Sequence, residues 1–578
     1  MLSHKYVRSR FVVEQVKRIF KRKLTNNISS SFIVNSGCTD VEIPHATLPE
    51  FLSTYYDKYE RFTAVECSVT KRKYTYGEIR SKSTNLAKAF RKIFKLENGD
   101  VVAIILKNIP EYPIADIGIM KANLISSTVS PVFTSDEIAR QLIDSNAKVV
   151  ITDVDLSTTV KKAVDIIAKK LPLLAIKTHK DQSLPENSID FHELVNTKVD
   201  YPEIQPGNPD DVVFLPYSSG TTGLPKGVQL THKNLLANMI QPTHDNINYR
   251  IDATDSFQEH LPAVIPLYHV YGHNVVMHNI TLCGGKMITL PGFSIESYIS
   301  MLKQYQNNTI YFMAPPLFLL MIELEAVKKE YLKNARVMSN GAAPLASSDE
   351  LRFIEKFGDH LTVLQGYGLT ETAPVVSTLY PKIMEKVEVY RGSIGRPLPN
   401  TQIKIVDPED STNTPLGPNI SGELLVKGPQ VMKGYLNLPE ETKKTITEDG
   451  WLRTGDASYY NEEGFMYIVD RYKELIKVRG NQVPPAELEA LIRTFPGVAD
   501  AAVIGIPNKF SGELPRAYIV PKAGAKVDTK SLDQFVSEKV TRYKKLEGGI
   551  VLVKEIPKNT SGKILRKKIR DTYIAKGI

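Results

Sequence analysis

Apolar and polar positions follow two different patterns along this chain. Over about residues 47–390, short apolar runs are separated by segments with helical periodicity. The runs 101–106 and 149–153 are nearly continuous and rich in β-branched residues, and 503–506 is a later run of the same kind. Because strands covered by helices on both faces have this pattern, it predicts an α/β fold with parallel sheets.

The pattern changes at about residue 392. From there to about residue 470, short alternating strands and turns follow one another, as in 402–406 and 422–426, which favours a small antiparallel barrel. A charged segment begins at residue 470, and a fresh pattern of helices and strands runs from it to the end. We therefore expect an N-terminal domain over residues 45–470 and a smaller C-terminal domain over residues 471–578.

Length and composition agree with this division. A chain of 578 residues, 42% of them hydrophobic and 24% charged, is typical of a soluble protein with more than one domain. The longest nearly apolar stretch, 310–322, contains two prolines and is too short to span a bilayer. It predicts a buried strand and the start of a helix, so no transmembrane segment is expected.

Positive charge is concentrated near the N-terminus. Residues 1–32 carry eight lysines and arginines against one glutamate, which accounts for seven of the net nine positive charges. The rest of the chain is near neutral and has no helix-turn-helix, zinc-finger or RNA-binding signature. No nucleic-acid partner is therefore expected.

The basic leader, residues 1–35, has an amphipathic pattern. Val12, Val16, Ile19 and Phe20 fall on one helical face, with basic residues around the other. A mitochondrial transit peptide is favoured, which predicts a mitochondrial location. The alternatives are a helix on a membrane surface and a solvated tail, in a membrane-associated or cytoplasmic protein. The chain does not end in the peroxisomal Ser-Lys-Leu signal.

A loop rich in glycine and hydroxyl residues follows the apolar run 212–215. Glycines let backbone N–H groups crowd round a phosphate, hydroxyls add neutral donors, and a lysine adds positive charge. The residues expected to bind a polyphosphate here are Ser218, Ser219, Gly220, Thr221, Thr222, Gly223 and Lys226. Gly227 follows the lysine, where the common nucleotide loop has a serine or threonine that binds Mg²⁺. Another residue must therefore hold the metal. A helix is expected from about Lys233.

This loop closely resembles the phosphate loop of the superfamily that contains AMP-forming acyl–CoA synthetases, 4-coumarate–CoA ligases and firefly luciferase. The resemblance covers about residues 45–570 and includes several motifs in the expected order. It implies a large N-terminal domain of two α/β subdomains plus a small β-barrel. It also implies a smaller, mobile α+β C-terminal domain that rotates about a hinge near Lys473.

Two further motifs imply the nucleotide site. In segment 365–372, the resemblance gives Tyr367 a place against adenine, Thr370 a contact to the α-phosphate and Glu371 the role of Mg²⁺ ligand. Segment 339–345 resembles the adenine-binding loop, although Asn340 departs from the usual sequence. The cofactor-binding residues implied by these two motifs are Gly341, Ala342, Ala343, Pro344, Gln365, Gly366, Tyr367 and Gly368.

The remaining motifs imply the ribose contacts and the mobile domain. By resemblance, Asp456 accepts both ribose hydroxyls and is joined by Arg471. Segment 470–482 contains the hinge residue Lys473 and residues that would face the active site or CoA during thioester formation. Those residues are Lys477, Arg479, Gly480 and Gln482.

Two residues are implied to act on the carboxylate. Lys563, in segment 557–564, would bridge the substrate carboxylate and the α-phosphate, whose charges move together only in the transition state. His269, in segment 266–272, would lie beside the carboxylate and gate the acyl tunnel. Neutralisation of charge and steric gating remain alternative roles for this histidine.

The implied activity is ATP-dependent ligation of a small-molecule carboxylic acid to coenzyme A, with Mg²⁺, by a monomer or homodimer. A luciferase-like oxygenase, an enzyme that loads a carrier protein and a nucleotide-binding regulator without turnover are the alternatives. Gly341, Ala342 and Ala373 are small, which suits a roomy acyl pocket. We expect a fatty acid, with an aryl propenoate of the 4-coumarate type as the alternative.

Overall fold

The structure is a computed structural model that describes residues 32–218, 225–384, 390–479, 481–559 and 562–574. Five of the predicted phosphate-loop residues lie outside the described residues, as do Gly480 and nearly all of the basic leader. Those five are Ser219, Gly220, Thr221, Thr222 and Gly223.

The first α/β unit is built on a sheet with a parallel centre. Its parallel strands are Val101–Ile105, Ile125–Thr128, Val149–Asp153, Leu173–Ile176, Ile189–Asp190 and Val212–Phe214. The strand Lys226–Thr231 extends the sheet in the antiparallel direction and pairs with Tyr217–Ser218 and Gly434–Tyr435. Helices in this part of the chain are Leu48–Lys58, Tyr76–Lys92, Tyr112–Lys121, Ser135–Asp144, Ser157–Ile167, Phe191–Asn196 and His232–Ile240. The predicted parallel α/β organisation is confirmed here.

The second α/β unit contains two smaller sheets. One sheet has the order His260–Ala263, Lys286–Thr289, Thr63–Cys67, Lys73–Thr75. The other has the order Ile310–Met313, Val337–Asn340, Thr362–Gly368, Val375–Thr378, Arg396–Pro397. The helices are Ile295–Gln304, Pro315–Glu323, Ser347–Phe357 and Pro381–Met384, with a π-helical segment at Tyr271–His278. The apolar stretch 310–322 thus forms a strand and the start of a helix, as predicted.

The antiparallel subdomain is a five-stranded sheet. Its order is Val34–Asn35, Gln402–Val406, Gly422–Lys427, Leu452–Tyr460, Met466–Arg471, and the helix Pro439–Thr445 lies between its third and fourth strands along the chain. Within the described residues, no backbone pairing joins the two outer strands of this sheet. The predicted barrel therefore has an open hydrogen-bonded edge.

The C-terminal part has a separate sheet and a separate apolar core. Its strands are Ile476–Val478, Asn481–Val483, Val498–Asn508, Gly512–Pro521 and Gly549–Leu552, and its helices are Pro485–Arg493, Thr529–Lys539 and Arg566–Ile569. The run 503–506 pairs antiparallel with Gly512–Pro521, so the expectation of a parallel strand is wrong there. A hairpin can bury both faces of a strand, so its apolar pattern does not distinguish the two directions. Among the described residues no helix is long and apolar enough to cross a membrane.

Candidate active site

A cleft of about 970 Å³ brings together residues from the separate motifs. It opens where strands of the second α/β unit, the antiparallel sheet and the C-terminal part meet. The predicted site residues that line it are Ser218, Lys226, His269, Gly341, Ala342, Gly366, Tyr367, Gly368, Thr370, Glu371, Arg471, Lys473 and Lys563.

At one end of the cleft, Asp456 is buried beneath Tyr367. Asp456 and Arg471 are direct cross-strand partners, which brings Arg471 Nε to 3.0 Å from Asp456 Oδ1. The hydroxyl of Tyr367 donates to the other carboxylate oxygen. Burial and then the negative charge of Asp456 raise the pKa of Tyr367, so the phenol keeps its proton and remains a donor. A carboxylate held this way can accept hydroxyl groups of a sugar.

The loop after the strand Val337–Asn340 is held by two amide side chains. Gln365 accepts from the Leu345 N–H at 3.0 Å and donates to the Leu345 carbonyl at 3.1 Å. Asn340 donates to the Ala343 carbonyl at 2.9 Å, and Ala342 has a positive φ of 70°. Asn340, whose meaning the sequence left open, therefore shapes the loop that carries Ala343 and Pro344.

The phosphate end of the cleft lies beside a β-hairpin. Ser218 pairs antiparallel with Lys226, so the predicted phosphate loop joins two strands and is not followed directly by a helix. The helix begins at His232, close to the predicted Lys233, after Thr231 caps its first turn. The motif gave no sign that the residues before and after this loop, Ser218 and Lys226, pair as strands.

Two acidic side chains lie at this phosphate end. Lys226 Nζ is 2.8 Å from a carboxylate oxygen of Glu441. Glu371 accepts from the Tyr435 hydroxyl at 2.9 Å, and its turn, Thr370–Thr372, faces the cleft. The cleft therefore presents the carboxylate oxygen that a hard cation such as Mg²⁺ prefers.

His269 lines the cleft and belongs to its buried wall. Burial lowers its pKa to about 4. Its Nδ1 accepts from the Tyr271 N–H at 3.3 Å, which also requires an unprotonated nitrogen. Steric gating and neutralisation of charge both remain predictions for this histidine.

Lys563 reaches the cleft from the C-terminal part of the chain. Asn559 accepts from the Lys563 N–H at 2.8 Å and fixes the loop. Gly562 has a positive φ of 82°, and a Cβ added there would lie 2.4 Å from Pro316, so a glycine permits this close approach. Burial and then the nearby positive charge of Arg471 lower the pKa of Lys563.

Lys477 and Arg479 do not line the cleft. Lys477 is exposed on its strand, where its N–H donates to Glu513 at 2.8 Å. Arg479 lies 3.4 Å from Glu547. Gln482 lies in the neighbouring strand Asn481–Val483, and its side chain is outside the described structure. The structure thus brings Lys563, and not Lys477, to the cleft.

A buried polar cluster behind the cleft was missed from the sequence. One oxygen of Asp116 accepts from His273 at 3.0 Å and from His278 at 2.9 Å, and the other accepts from the Ser126 hydroxyl at 2.7 Å. Burial alone would raise the pKa of Asp116, but the two histidines hold it well below its usual range. The cluster ties the segment Tyr271–His278, which forms one cleft wall, to the first α/β unit. The sequence signal that could have indicated this cluster is Asp116 itself, a charged residue within a mostly apolar helix.

Comparison with known proteins identifies the family. Residues 53–436 match the model of the AMP-binding enzyme family, and residues 487–563 match that of the AMP-binding enzyme C-terminal domain. The chain belongs to the AMP-binding enzyme family. It is 35% identical over 552 residues to 4-coumarate–CoA ligase 3 of Oryza sativa subsp. japonica, covering 94% of this chain and 96% of the relative.

Other relatives give the same result. 4-coumarate–CoA ligase 1 of Petroselinum crispum is 36% identical over 542 residues, covering 93% of this chain and 96% of the relative. The crystal structure of ATP-bound MatB from Rhodopseudomonas palustris has a TM-score of 0.79 and 25% identity, covering 91% of this chain and 99% of that one. This AMP-binding enzyme is an AMP-forming carboxylate–CoA ligase that uses ATP and CoA.

Proposed function

We propose that this AMP-binding enzyme joins a fatty acid to CoA through an acyl-AMP intermediate. In the first half-reaction a carboxylate oxygen bonds to the α-phosphorus of ATP, the bond from that phosphorus to the bridging oxygen breaks, and pyrophosphate leaves. In the second, the CoA sulfur bonds to the acyl carbon, AMP leaves, and the thiol proton passes to solvent. The observation that carries the proposal is that Thr370, Glu371, Arg471 and Lys563 line one cleft.

Lys563 is proposed to act in the first half-reaction. Its ammonium group would lie between the carboxylate and the α-phosphate and stabilise the charge that moves between them. Asp456, fixed by Arg471, would hold the ribose and so position the phosphorus. Glu371 would hold Mg²⁺, which neutralises phosphate charge when bound.

Lys477 is proposed to act in the second half-reaction. Its exposed position away from the cleft supports a rotation of the C-terminal part about Lys473 that withdraws Lys563 and brings Lys477 in. Domain rotation resolves a conflict, because the first step needs cations at the α-phosphate and the second needs a channel for a thiol.

The length of the cleft supports a fatty acid. Part of the cleft lining forms a region that we call the distal arm, made up of Ile247, Asn248, Tyr249, Arg250, Val275 and Asn279. Arg336, just before the strand Val337–Asn340, donates to the Tyr249 carbonyl at 3.4 Å, whereas Gly341 lies just after that strand. The five residue steps of strand backbone between Arg336 and Gly341 span about 16 Å at a strand rise of about 3.3 Å per residue, which is longer than an aryl propenoate.

An aryl acid of the 4-coumarate type is the second candidate. It is favoured by the names of the relatives and by Tyr271, whose ring would lie 3.1 Å from a Cβ added at Gly341. An aromatic wall at that point suits a flat ring.

A carboxylate panel tests the proposal. The full-length enzyme is incubated with ATP, Mg²⁺ and CoA together with hexanoate, tetradecanoate, 4-coumarate or benzoate, and AMP formation is measured. We expect the highest kcat/KM with tetradecanoate. Preference for 4-coumarate would support the second candidate. If none of the four acids gave AMP at any concentration, ligase activity on these acids would be contradicted. Light emission with luciferin, ATP and oxygen tests the oxygenase alternative.

A further inference from the structure

The distal arm contains a positive charge. Arg250 lies in the same segment as Tyr249, whose carbonyl marks the far end of the strand Val337–Asn340. It is half-buried, and it is the cation that lines the arm among the described residues. The other cleft-lining cations, such as Lys226, Arg471 and Lys563, lie at the nucleotide end.

The charged neighbours of Arg250 are occupied by other partners. Glu259 is fully buried and pairs with Arg336, and its second oxygen accepts from Thr309. Asp252 pairs with Lys58 at 2.9 Å. Within the described part of the chain, no carboxylate forms an ion pair with the Arg250 guanidinium, although the group is permanently charged.

We therefore expect an acid that extends into the arm to interact with this cation. The methyl end of a simple fatty acid would remove water from the guanidinium without replacing its hydrogen bonds, which is unfavourable. A carboxylate at the same place would form a charge-assisted pair with two parallel hydrogen bonds. The arm is thus better matched to a chain whose far end is anionic.

We propose that the preferred substrate is a long-chain α,ω-dicarboxylic acid, with one carboxylate activated beside Lys563 and the other bound by Arg250. This inference rests on the proposed function, since it assigns the second end of the acid whose first end is adenylated. Arg250 would then determine specificity and would take no part in the chemistry.

Three acids of matched chain length test the proposal. The full-length enzyme is assayed for AMP formation with tetradecanedioate, with its monomethyl ester and with tetradecanoate, in the presence of ATP, Mg²⁺ and CoA. We expect kcat/KM for the diacid to exceed that for the ester by about 10-fold or more, as a charged hydrogen-bonded pair would give. The ratio of the two values is unaffected by partial loss of folded enzyme.

The variant Arg250→Gln should reduce this ratio to near unity, and Arg250→Lys should leave an intermediate ratio because one point charge replaces a planar pair of donors. Arg61→Gln is the matched control, because Arg61 is exposed and pairs with Asp255 on the surface; the wild-type ratio should persist.

A wild-type preference for the ester, or an unchanged ratio in Arg250→Gln, would overturn the assignment of Arg250 while leaving ligase activity intact. Failure of every acid, including short and aromatic ones, to give AMP would instead overturn the proposed function and this inference with it.

Discussion

Individual side chains at the phosphate end have partners from distant parts of the sequence. Lys226 pairs with Glu441, and Glu371 accepts from Tyr435. The hydrogen bond and charge of Lys226, followed by those of Lys444, lower the pKa of Glu441 to about 2, so it is anionic at neutral pH. We therefore expect Glu441 to compete with a bound triphosphate for the ammonium group of Lys226.

Removal of Glu441 should strengthen ATP binding. In Glu441→Gln, Lys226 loses its carboxylate partner, and KM for ATP should fall by about two- to fivefold, the size expected for an exposed ion pair. The exchange of labelled pyrophosphate into ATP measures this at saturating acid. Glu440→Gln is the control, since Glu440 pairs with Lys443 on the outer face. A rise in KM, or equal shifts in both variants, would show that Glu441 does not compete for Lys226.

At the scale of elements, the cleft wall depends on buried polar connections. The segment Tyr271–His278 is joined through His273 and His278 to Asp116 in the helix Tyr112–Lys121. Another helix, Leu48–Lys58, is joined at its first residue to His232, whose Nδ1 accepts from the Leu48 N–H at 3.1 Å. The first connection requires the Asp116 carboxylate to be ionised, and the second requires an unprotonated Nδ1 on His232.

Asp116→Asn should destabilise the protein. The amide oxygen can still accept from both histidines, but the negative charge is lost and the Ser126 hydroxyl must change from donor to acceptor. Breaking a buried charged network typically costs about 3–5 kcal/mol. In urea unfolding monitored by fluorescence, the first transition should occur at a lower urea concentration than in the wild type. Asp155→Asn is the control because Asp155 pairs with Lys107 at the surface. An unfolding curve identical to that of the wild type would mean that the cluster does not stabilise the fold.

Stability should fall as pH is lowered from about 6.5 to about 4. Burial lowers the pKa of His232 to about 4, below its ordinary value of 6.5. Between these values the unfolded chain binds more protons than the folded one, so folding stability decreases with acid.

His232→Gln keeps an acceptor for Leu48 but removes the titration, and it should flatten this part of the stability curve. Urea midpoints measured from pH 7 to pH 4 test the prediction, with the exposed His45→Gln as control. A curve as steep as that of the wild type in His232→Gln would assign the pH dependence to other groups.

At the scale of the whole molecule, the C-terminal part is held against the cleft by several contacts. Asp470 accepts from the Ala486 N–H at 3.0 Å across the predicted hinge, and Lys522 pairs with Glu323 at 2.9 Å. Lys563 enters the cleft beside Pro316. Under the proposed rotation, these contacts would belong to the arrangement for adenylation and would have to break for the second half-reaction.

Local motifs were predictable from the sequence, and long-range placement was not. The loop around Gly341 and the turn with Glu371 directly follow the strands Val337–Asn340 and Thr362–Gly368, and their glycine, proline and hydroxyl residues favour turns. The pairing of Lys226 with Glu441 and the convergence of His273 on Asp116 join residues far apart in sequence, and single side chains carry no signal of such pairing. The place of Arg250 in the lining of the cleft likewise depends on packing between residues far apart in sequence.

The same limit applies to domain arrangement. Resemblance suggested that Lys477 and Lys563 serve different steps, but a sequence cannot say which of them occupies the cleft in one structure. Placement of Lys563 in the cleft and of Lys477 outside it follows from packing of the C-terminal part, with Gly562 permitting close approach to Pro316.

Separate measurement of the two half-reactions in Lys563→Ala tests the central claim most directly. Pyrophosphate exchange reports adenylation, and release of AMP from preformed acyl-AMP with CoA reports transfer. We predict that adenylation falls by about 10²- to 10³-fold, as expected for loss of one preorganised donor, while transfer is retained, and that Lys477→Ala shows the reverse. Equal losses in both half-reactions of Lys563→Ala would contradict the assignment of Lys563 to the first step.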